Sequence, residues 1–259
     1  MGNIKDSILG IAEKIGARGP HYRCFNSAII VAGGSGIRAS GDSGTKQLRE
    51  VAGVPVVART VNVFESCHFI SEIIIVARED ELGLYGDFIK KYGWTKVSRV
   101  VAGGTDRRMS VFNGFKCISD KSDYVFIHDA ARCLITVEMI DAVARDVCKY
   151  GAACASSLAK DSVKTVDEKG FITENVDRDT VRCAQTPQAF KTELYRAAAY
   201  VSLESDLKVT DDCSLVENIG YKIKLTDCGS ENIKITYPED FDIAEAILAY
   251  REKKKSENI

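Results

Sequence analysis

The 259-residue chain has no run of ~20 uncharged apolar residues, so no segment is fit to cross a bilayer as a helix and no membrane partner is expected. It has no CxxC pair. Its nine cysteines (24, 67, 117, 133, 148, 154, 183, 213 and 228) are odd in number, and no histidine lies near them at ligand spacing. That usage suits a reduced, cytoplasmic location better than a disulfide framework or a zinc site, and no metal-ligating residue is singled out. Charge of one sign is also missing. Lys and Arg total 35 against 37 Asp and Glu, a net charge of −2, which provides no electrostatic footprint for a long polyanion. Nucleic acid is therefore not an expected partner. Only three histidines occur, none in the setting of a serine or cysteine triad.

What is present fits one α/β core: 45% hydrophobic and 28% charged residues over this length. Residues 1–26 read as an extension. Ile4, Ile8, Ile11 and Ile15 recur at helical spacing before Gly16, Gly19 and Pro20 stop the helix. Asp6 and Glu13 argue against a transit peptide, and Asp6 stands where a myristoylation signal needs Ser or Thr, so a packing role is expected. Residues 27–259 then form the main domain. Apolar, β-branched runs at 27–32, 70–77, 97–102, 124–128 and 151–158 alternate with helix-like stretches at 56–65, 81–92, 108–117 and 136–150. This alternation predicts a mainly parallel, buried sheet with helices on both faces. From about 158 to 190 polar alternation takes over, with turn signals at 167–170, and predicts an antiparallel β excursion. The chain closes with an expected strand around Lys234 and a helix with Pro238 at its first position and Lys253 to Lys255 at its end.

One stretch raises the question of chemistry: "AIIVAGGSGIRASGDSGTKQL", residues 28–48. Residues 34–39 satisfy GxGxxG/A, but Gly41, Asp42, Ser43 and Gly44 forbid the uninterrupted helix a dinucleotide fingerprint needs, and the expected acidic position falls near Val54-Pro55. A Walker loop is not met, because Lys46 follows Thr45 and precedes Gln47. A third possibility is a glycine loop that wraps a nucleoside triphosphate, with backbone N–H groups on the phosphates and mobile charge from Arg38 and Lys46. The bland alternative is a surface loop with solvated charges.

Downstream segments bear on that choice. "VAGGTDRRMSVFNG" (101–114) is a strand, a glycine turn and a helix start, in which Ser110 either reaches a ligand or caps the helix. "FIHDAARCLI" (126–135) puts Asp129 and Arg132 past the end of a buried strand, where open α/β sheets bind ligands. "ENIKITYPED" (231–240) sets Lys234 among apolar residues, a costly place unless it is paired, meets a ligand, or reaches solvent from an edge.

As an ordered set, "AGGSGIR…TKQ", "GGTDRRMSV", "HDAAR", "VDRDTVRCAQTPQAF", "TDDCSLVE" and "NIKITYPED" resemble the 2-C-methyl-D-erythritol 4-phosphate cytidylyltransferases, with the ribitol 5-phosphate cytidylyltransferases next. The resemblance runs from about Ser27 to Arg251. It implies a Rossmann-like sheet, with the excursion serving as a β-arm that joins a homodimer. It also implies that Ala32, Gly33, Gly34, Ser35 and Gly36 hold the phosphates of CTP, and that Arg38 and Lys46 stabilise charge in the transition state. Gly104, Thr105, Ser110 and Ala130 would line the cytidine site. Asp129, Arg132, Ser162, Arg178, Thr186, Thr210 and Lys234 would line the sugar phosphate site, with Arg178 and Lys234 positioning the attacking phosphate. Val31-Ala32-Gly33-Gly34 leans toward the ribitol branch, whereas "TDDCSLVE" and "VDRDTVRCAQTPQ" favour the methylerythritol branch. Thr105, Ser162 and Cys133 depart from the residues usual at those places.

The implied reaction moves CMP from CTP to a sugar phosphate. A phosphate nucleophile, with a second pKa of ~6, is already ionised at pH 7, so the scarcity of histidine is no obstacle. The task is electrostatic: cations and backbone donors offset two polyanions, with Mg²⁺ bridging the triphosphate oxygens. A nucleotide-binding sensor without turnover is the reading from another class.

Overall fold

The computed structural model describes residues 24–34, 45–203 and 209–257. The helix expected within 4–16, and Ser35, Gly36 and Arg38 of the glycine loop, lie outside the described residues. Strands β1 (Asn26–Val31), β4 (Glu72–Ala77), β5 (Val97–Ala102), β6 (Tyr124–Asp129), β7 (Ala152–Leu158), β10 (Arg182–Lys191) and β11 (Lys224–Asp227) form one sheet in the order β11-β7-β10-β6-β1-β4-β5. β1 runs parallel to β4 and β6, β4 to β5, and β7 to β11; β10 alone is antiparallel to its neighbours β6 and β7. The short β2 (Glu50–Val51) and β3 (Val54–Pro55) form a hairpin with Ala52 and Gly53 both at positive φ.

The continuous apolar runs exist because the central strands are covered on both sides. Along β1 the side chains alternate. Ala28 and Ile30 face a cluster with Val57, Val61 and Phe64 of helix α1 (Val56–Ser66), Tyr85 of α2 (Leu82–Tyr92), and Ile140, Val143 and Val147 of α4 (Val137–Tyr150). Ile29 faces the other cluster, with Val111 and Phe115 of α3 (Arg107–Phe115), Leu194 and Tyr195 of α5 (Thr192–Leu203), and Leu215 and Val216 of α6 (Asp212–Asn218). The first four helices fall where periodicity puts them, to within two residues. Thr136 caps α4 by accepting the Met139 N–H, and Gly151 ends it at φ +81°, a conformation that favours glycine.

Elsewhere the structure departs from the sequence reading. Of residues 158–190, only 159–181 leave the sheet, as the exposed hairpin β8 (Val163–Val166) and β9 (Ile172–Val176) closed by an Asp167–Gly170 turn. Residues 182–191 turn back as β10, buried from Gln185 to Phe190 inside the sheet between β7 and β6. Its polar sequence is compatible with burial because its glutamines and threonine are hydrogen-bonded to the chain around them. Helices α5 and α6 and strand β11 were not anticipated. Residues 231–236 are extended but not a strand, which corrects the placement of Lys234: the segment is pinned by Ile235 N–H to the Ala131 carbonyl at 2.9 Å. The final helix, α7 (Glu239–Glu257), begins one residue after Pro238 and seats Phe241 and Ala244 against Cys133, Leu134 and Ile235.

Candidate active site

Parallel register brings the ends of β1, β4, β5 and β6 to one edge, since Val31 pairs with Val76 and Asp129, and Ala77 pairs with Ala102. Each strand then delivers its loop to that edge. After β1 come Ala32, Gly33 and Gly34; the Ala32 N–H donates to Val76, and the Gly34 carbonyl accepts from Gln47 Nε2 at 3.2 Å. After β5 come Gly103 and Gly104. A Cβ on Gly104 would stand 2.4 Å from Met109 Cβ, so only glycine fits there. Asp106, not Ser110, caps α3; the Ser110 hydroxyl instead accepts the Gly104 N–H at 3.0 Å and donates to the Asp106 carbonyl at 2.7 Å. Ser110 thus shapes the glycine turn. Thr105 is exposed beside it, and the N–H of buried Ala130 donates to Val31.

Asp129, the last residue of β6, is the hub. Its Oδ2 accepts from Lys234 Nζ at 2.6 Å and its Oδ1 from Arg107 at 3.1 to 3.2 Å. Arg107 Nη1 also donates to Asp212 Oδ2 at 2.7 Å. Burial alone would raise the Asp129 pKa; Arg107 and Lys234 outweigh it and hold the carboxyl well below the ordinary range. Burial likewise works against the Arg107 charge, and Asp212 and Asp129 overcome it and keep the guanidinium firmly protonated.

Beside this hub His128 is fully buried, and burial pushes its pKa down to about 3 against the pull of Asp129. Its Nε2 lies 3.3 Å from the Arg132 carbonyl, which can only accept, so the neutral ring carries its proton there. Nδ1 then accepts from the Thr186 hydroxyl at 3.0 Å, and that oxygen accepts the Asp129 N–H at 3.1 Å. Thr186 therefore holds the backbone of Asp129. Arg132 donates to the Asn232 carbonyl at 2.8 Å, and Asn232 Nδ2 donates to Thr186 O and Gln185 Oε1, locking the 231–236 segment onto the β6 loop. Lys46 is buried, and its Nζ donates to the Ile235 carbonyl at 2.7 Å.

Lys46, Gly104, Ser110, Asp129, Ala130, Arg132, Thr186 and Lys234 thus share one edge with Ala32–Gly34. Thr210 is exposed just ahead of α6, its N–H on Ser214 Oγ. Ser162 and Arg178 are not gathered in: both are exposed on the arm, and Arg178 Nη1 reaches the Lys160 carbonyl at 3.5 Å. Arg107 and Asp212 were missed, although both sit inside quoted motifs. The available signal was "TDD", in which Asp211 caps α6 and leaves its neighbour free to point inward.

An open, mainly parallel sheet that presents a glycine turn and a buried lattice of cations and carboxylates at one edge has the plan of an α/β nucleotidyltransferase. The family described as "IspD: 2-C-methyl-D-erythritol 4-phosphate cytidylyltransferase" matches residues 27–250. A protein of that name from Clostridium botulinum (strain 657 / Type Ba4) is 40% identical over 223 residues, covering 86% of this chain and 97% of its own. One from Caldanaerobacter subterraneus is 38% identical over the same share of this chain. The crystal structure of 4-diphosphocytidyl-2C-methyl-D-erythritol synthase from Anaerococcus prevotii superposes with a TM-score of 0.78 at 34% identity, covering 88% of this chain and 97% of that one. The chain belongs to the IspD family of cytidylyltransferases.

Proposed function

We propose that this chain transfers CMP from CTP to 2-C-methyl-D-erythritol 4-phosphate, releasing pyrophosphate, as a cytoplasmic enzyme of isoprenoid precursor synthesis. Beyond family membership, the observation that carries the reading is the hub of Asp129, Lys234 and Arg107 at the edge where α/β sheets bind ligands. The acceptor phosphate arrives ionised and needs no base. That agrees with His128, which is neutral, enclosed and committed to two partners. Ala32, Gly33 and Gly34 and the 103–105 turn serve the triphosphate and the cytidine. Lys46, with Arg38, offsets charge on the α-phosphate as the P–O bond to the pyrophosphate breaks, and Lys234 steers the acceptor phosphate. Asp129 and Thr210 border the sugar.

Among the described residues no group of three His, Cys, Asp or Glu side chains could hold a metal ion, and both Asp129 oxygens already face cations. A resident Mg²⁺ site does not fit that donor set, so Mg²⁺ enters as part of the CTP substrate. Ser162 and Arg178 act from the arm of a second copy, in a homodimer. Their exposure on the hairpin that leaves the sheet supports that arrangement.

The test is pyrophosphate release from CTP and Mg²⁺ with methylerythritol phosphate or ribitol 5-phosphate offered separately. Turnover with the first alone is expected. Preference for ribitol phosphate would reassign the acceptor, and CTP binding without release would make the chain a sensor.

A further inference from the structure

Five side chains from separate elements form one unbroken relay: Lys234 to Asp129, Asp129 to Arg107, Arg107 to Asp212, and Asp212 Oδ1 to the Tyr195 hydroxyl at 2.8 Å. Asp129 and Asp212 are both buried, at 7% and 1% exposure, whereas the Lys234 side chain keeps 41% of its surface open. The relay has two cations for two carboxylates. Without Arg107, Asp212 would lose the cation it pairs with, and Asp129 would keep Lys234 as its one direct ion pair and draw that ammonium fully onto itself.

Resting on the reading of Asp129 and Lys234 as the acceptor's partners, we propose that Arg107 is a positioning residue, the standing counter-ion of Asp129 and Asp212. It leaves Lys234 free to share its N–H groups between Asp129 and the acceptor phosphate. A planar fork suits this role, since Nε and Nη2 serve Asp129 while Nη1 serves Asp212. A single ammonium cannot span both with the same geometry. The charged groups that face Asp129 are Arg107 from α3, Lys234 from the 231–236 segment and Arg132 from the loop after β6; His128, before it, is neutral. Asp212 anchors Arg107 from the far side, so α6 takes part in shaping the acceptor site without touching it.

Arg107→Met, Arg107→Lys and Asp212→Asn are compared with the wild type after circular dichroism has established folding. Arg107→Met should raise the KM for methylerythritol phosphate roughly 10- to 100-fold with little change in the KM for CTP, the scale of a misplaced substrate-orienting group. The Asp129 carboxyl should titrate at higher pH in that variant, as it loses its counter-ion. Arg107→Lys should recover part of this, and Asp212→Asn, which removes the anchor on the far side of Arg107, should raise the acceptor KM by less. A folded Arg107→Met enzyme with an unmoved Asp129 titration, or with both KM values raised equally, overturns the proposal. Should Arg107→Met fail to fold, Arg107→Lys and Asp212→Asn decide by the acceptor KM against the CTP KM. Carboxyl-carbon NMR of ligand-free protein, with Asp129 assigned by Asp129→Asn, separates this idea from the activity. A titration that rises in Arg107→Met, and less in Arg107→Lys, supports the counter-ion role even if the wild type uses another acceptor, and one that stays put in Arg107→Met refutes it.

Discussion

The Lys46 ammonium donates to the carbonyl oxygen of Ile235 at 2.7 Å, joining residues 189 positions apart. Ile235 in turn donates its N–H to Ala131, and its neighbour Lys234 meets Asp129. Lys46 and the loop that follows β6 therefore both hold the segment that carries Lys234. On this geometry Lys46→Ala should lower kcat by ~10²–10³, the scale for deleting a donor to transition-state charge. The same is expected of Arg38→Ala. Pyrophosphate release at saturating CTP measures it, and near-normal turnover in either variant ends that residue's catalytic assignment.

Asp129→Asn should impair acceptor use more than CTP binding, and titration calorimetry with each ligand separates the two. A loss confined to CTP would put Asp129 on the wrong side of the site. Its pH signature has a definite sign. The folded pKa is depressed, so the stabilisation from the ionised carboxylate is complete above its unfolded value of about 3.9 and is lost as pH falls through the folded value. Thermal melts should therefore converge between wild type and Asp129→Asn only below pH ~4.

His128 acts at higher pH. Its folded pKa of about 3 lies below the ordinary 6.5, so between those values the unfolded chain binds the extra proton and stability must rise with pH. Tm should climb from pH 4 to 6.5 and level off above. In His128→Gln that slope should be visibly shallower; an unchanged slope would show that other groups govern it.

Gly104→Ala forces a Cβ against the Met109 backbone and Cβ, which are 2.8 and 2.4 Å away. Overpacking of this kind costs about 1–3 kcal/mol, and the displaced turn loses its N–H bond to Ser110. A lower Tm together with weaker CTP binding is expected. Wild-type affinity for CTP would separate the turn from the nucleotide.

Arg178 tests the arm. Inactive Arg178→Ala chains mixed with inactive Lys46→Ala chains should regain activity if each site borrows the arm of its neighbour, because one site of two is then intact. Absence of recovery, with subunit exchange shown independently, would confine Arg178 to its own chain. Arg178→Lys should raise the acceptor KM despite keeping the charge, since bidentate contact with phosphate is lost.

Much of this was legible in order along the chain. Apolar runs such as 72–77 mark strands buried on both faces, and the 3.6-residue period of 137–150 marks the helix that covers them. The glycine turns and the Asp129 position follow from the same reading, because a strand end in an open parallel sheet is where ligands sit. Periodicity failed at β10, whose Gln185, Thr186 and Gln188 look like surface yet lie buried. Their hydrogen bonds go to Gly229, Asp129, Asp211 and the residues around them, partners that local pattern cannot reveal. It failed at Lys234 as well, where an apolar surround suggested a strand but the backbone is held by the β6 loop.

The sequence by itself determined the alternation of strands and helices, the glycine turns and the residue types able to meet phosphate, because these depend on neighbours a few positions apart. Which charges meet was decided only by the tertiary structure. Arg107 reaches Asp212 across 105 positions and Lys234 reaches Asp129 across the same separation, and in each case burial makes an unpaired charge so costly that packing must supply the partner.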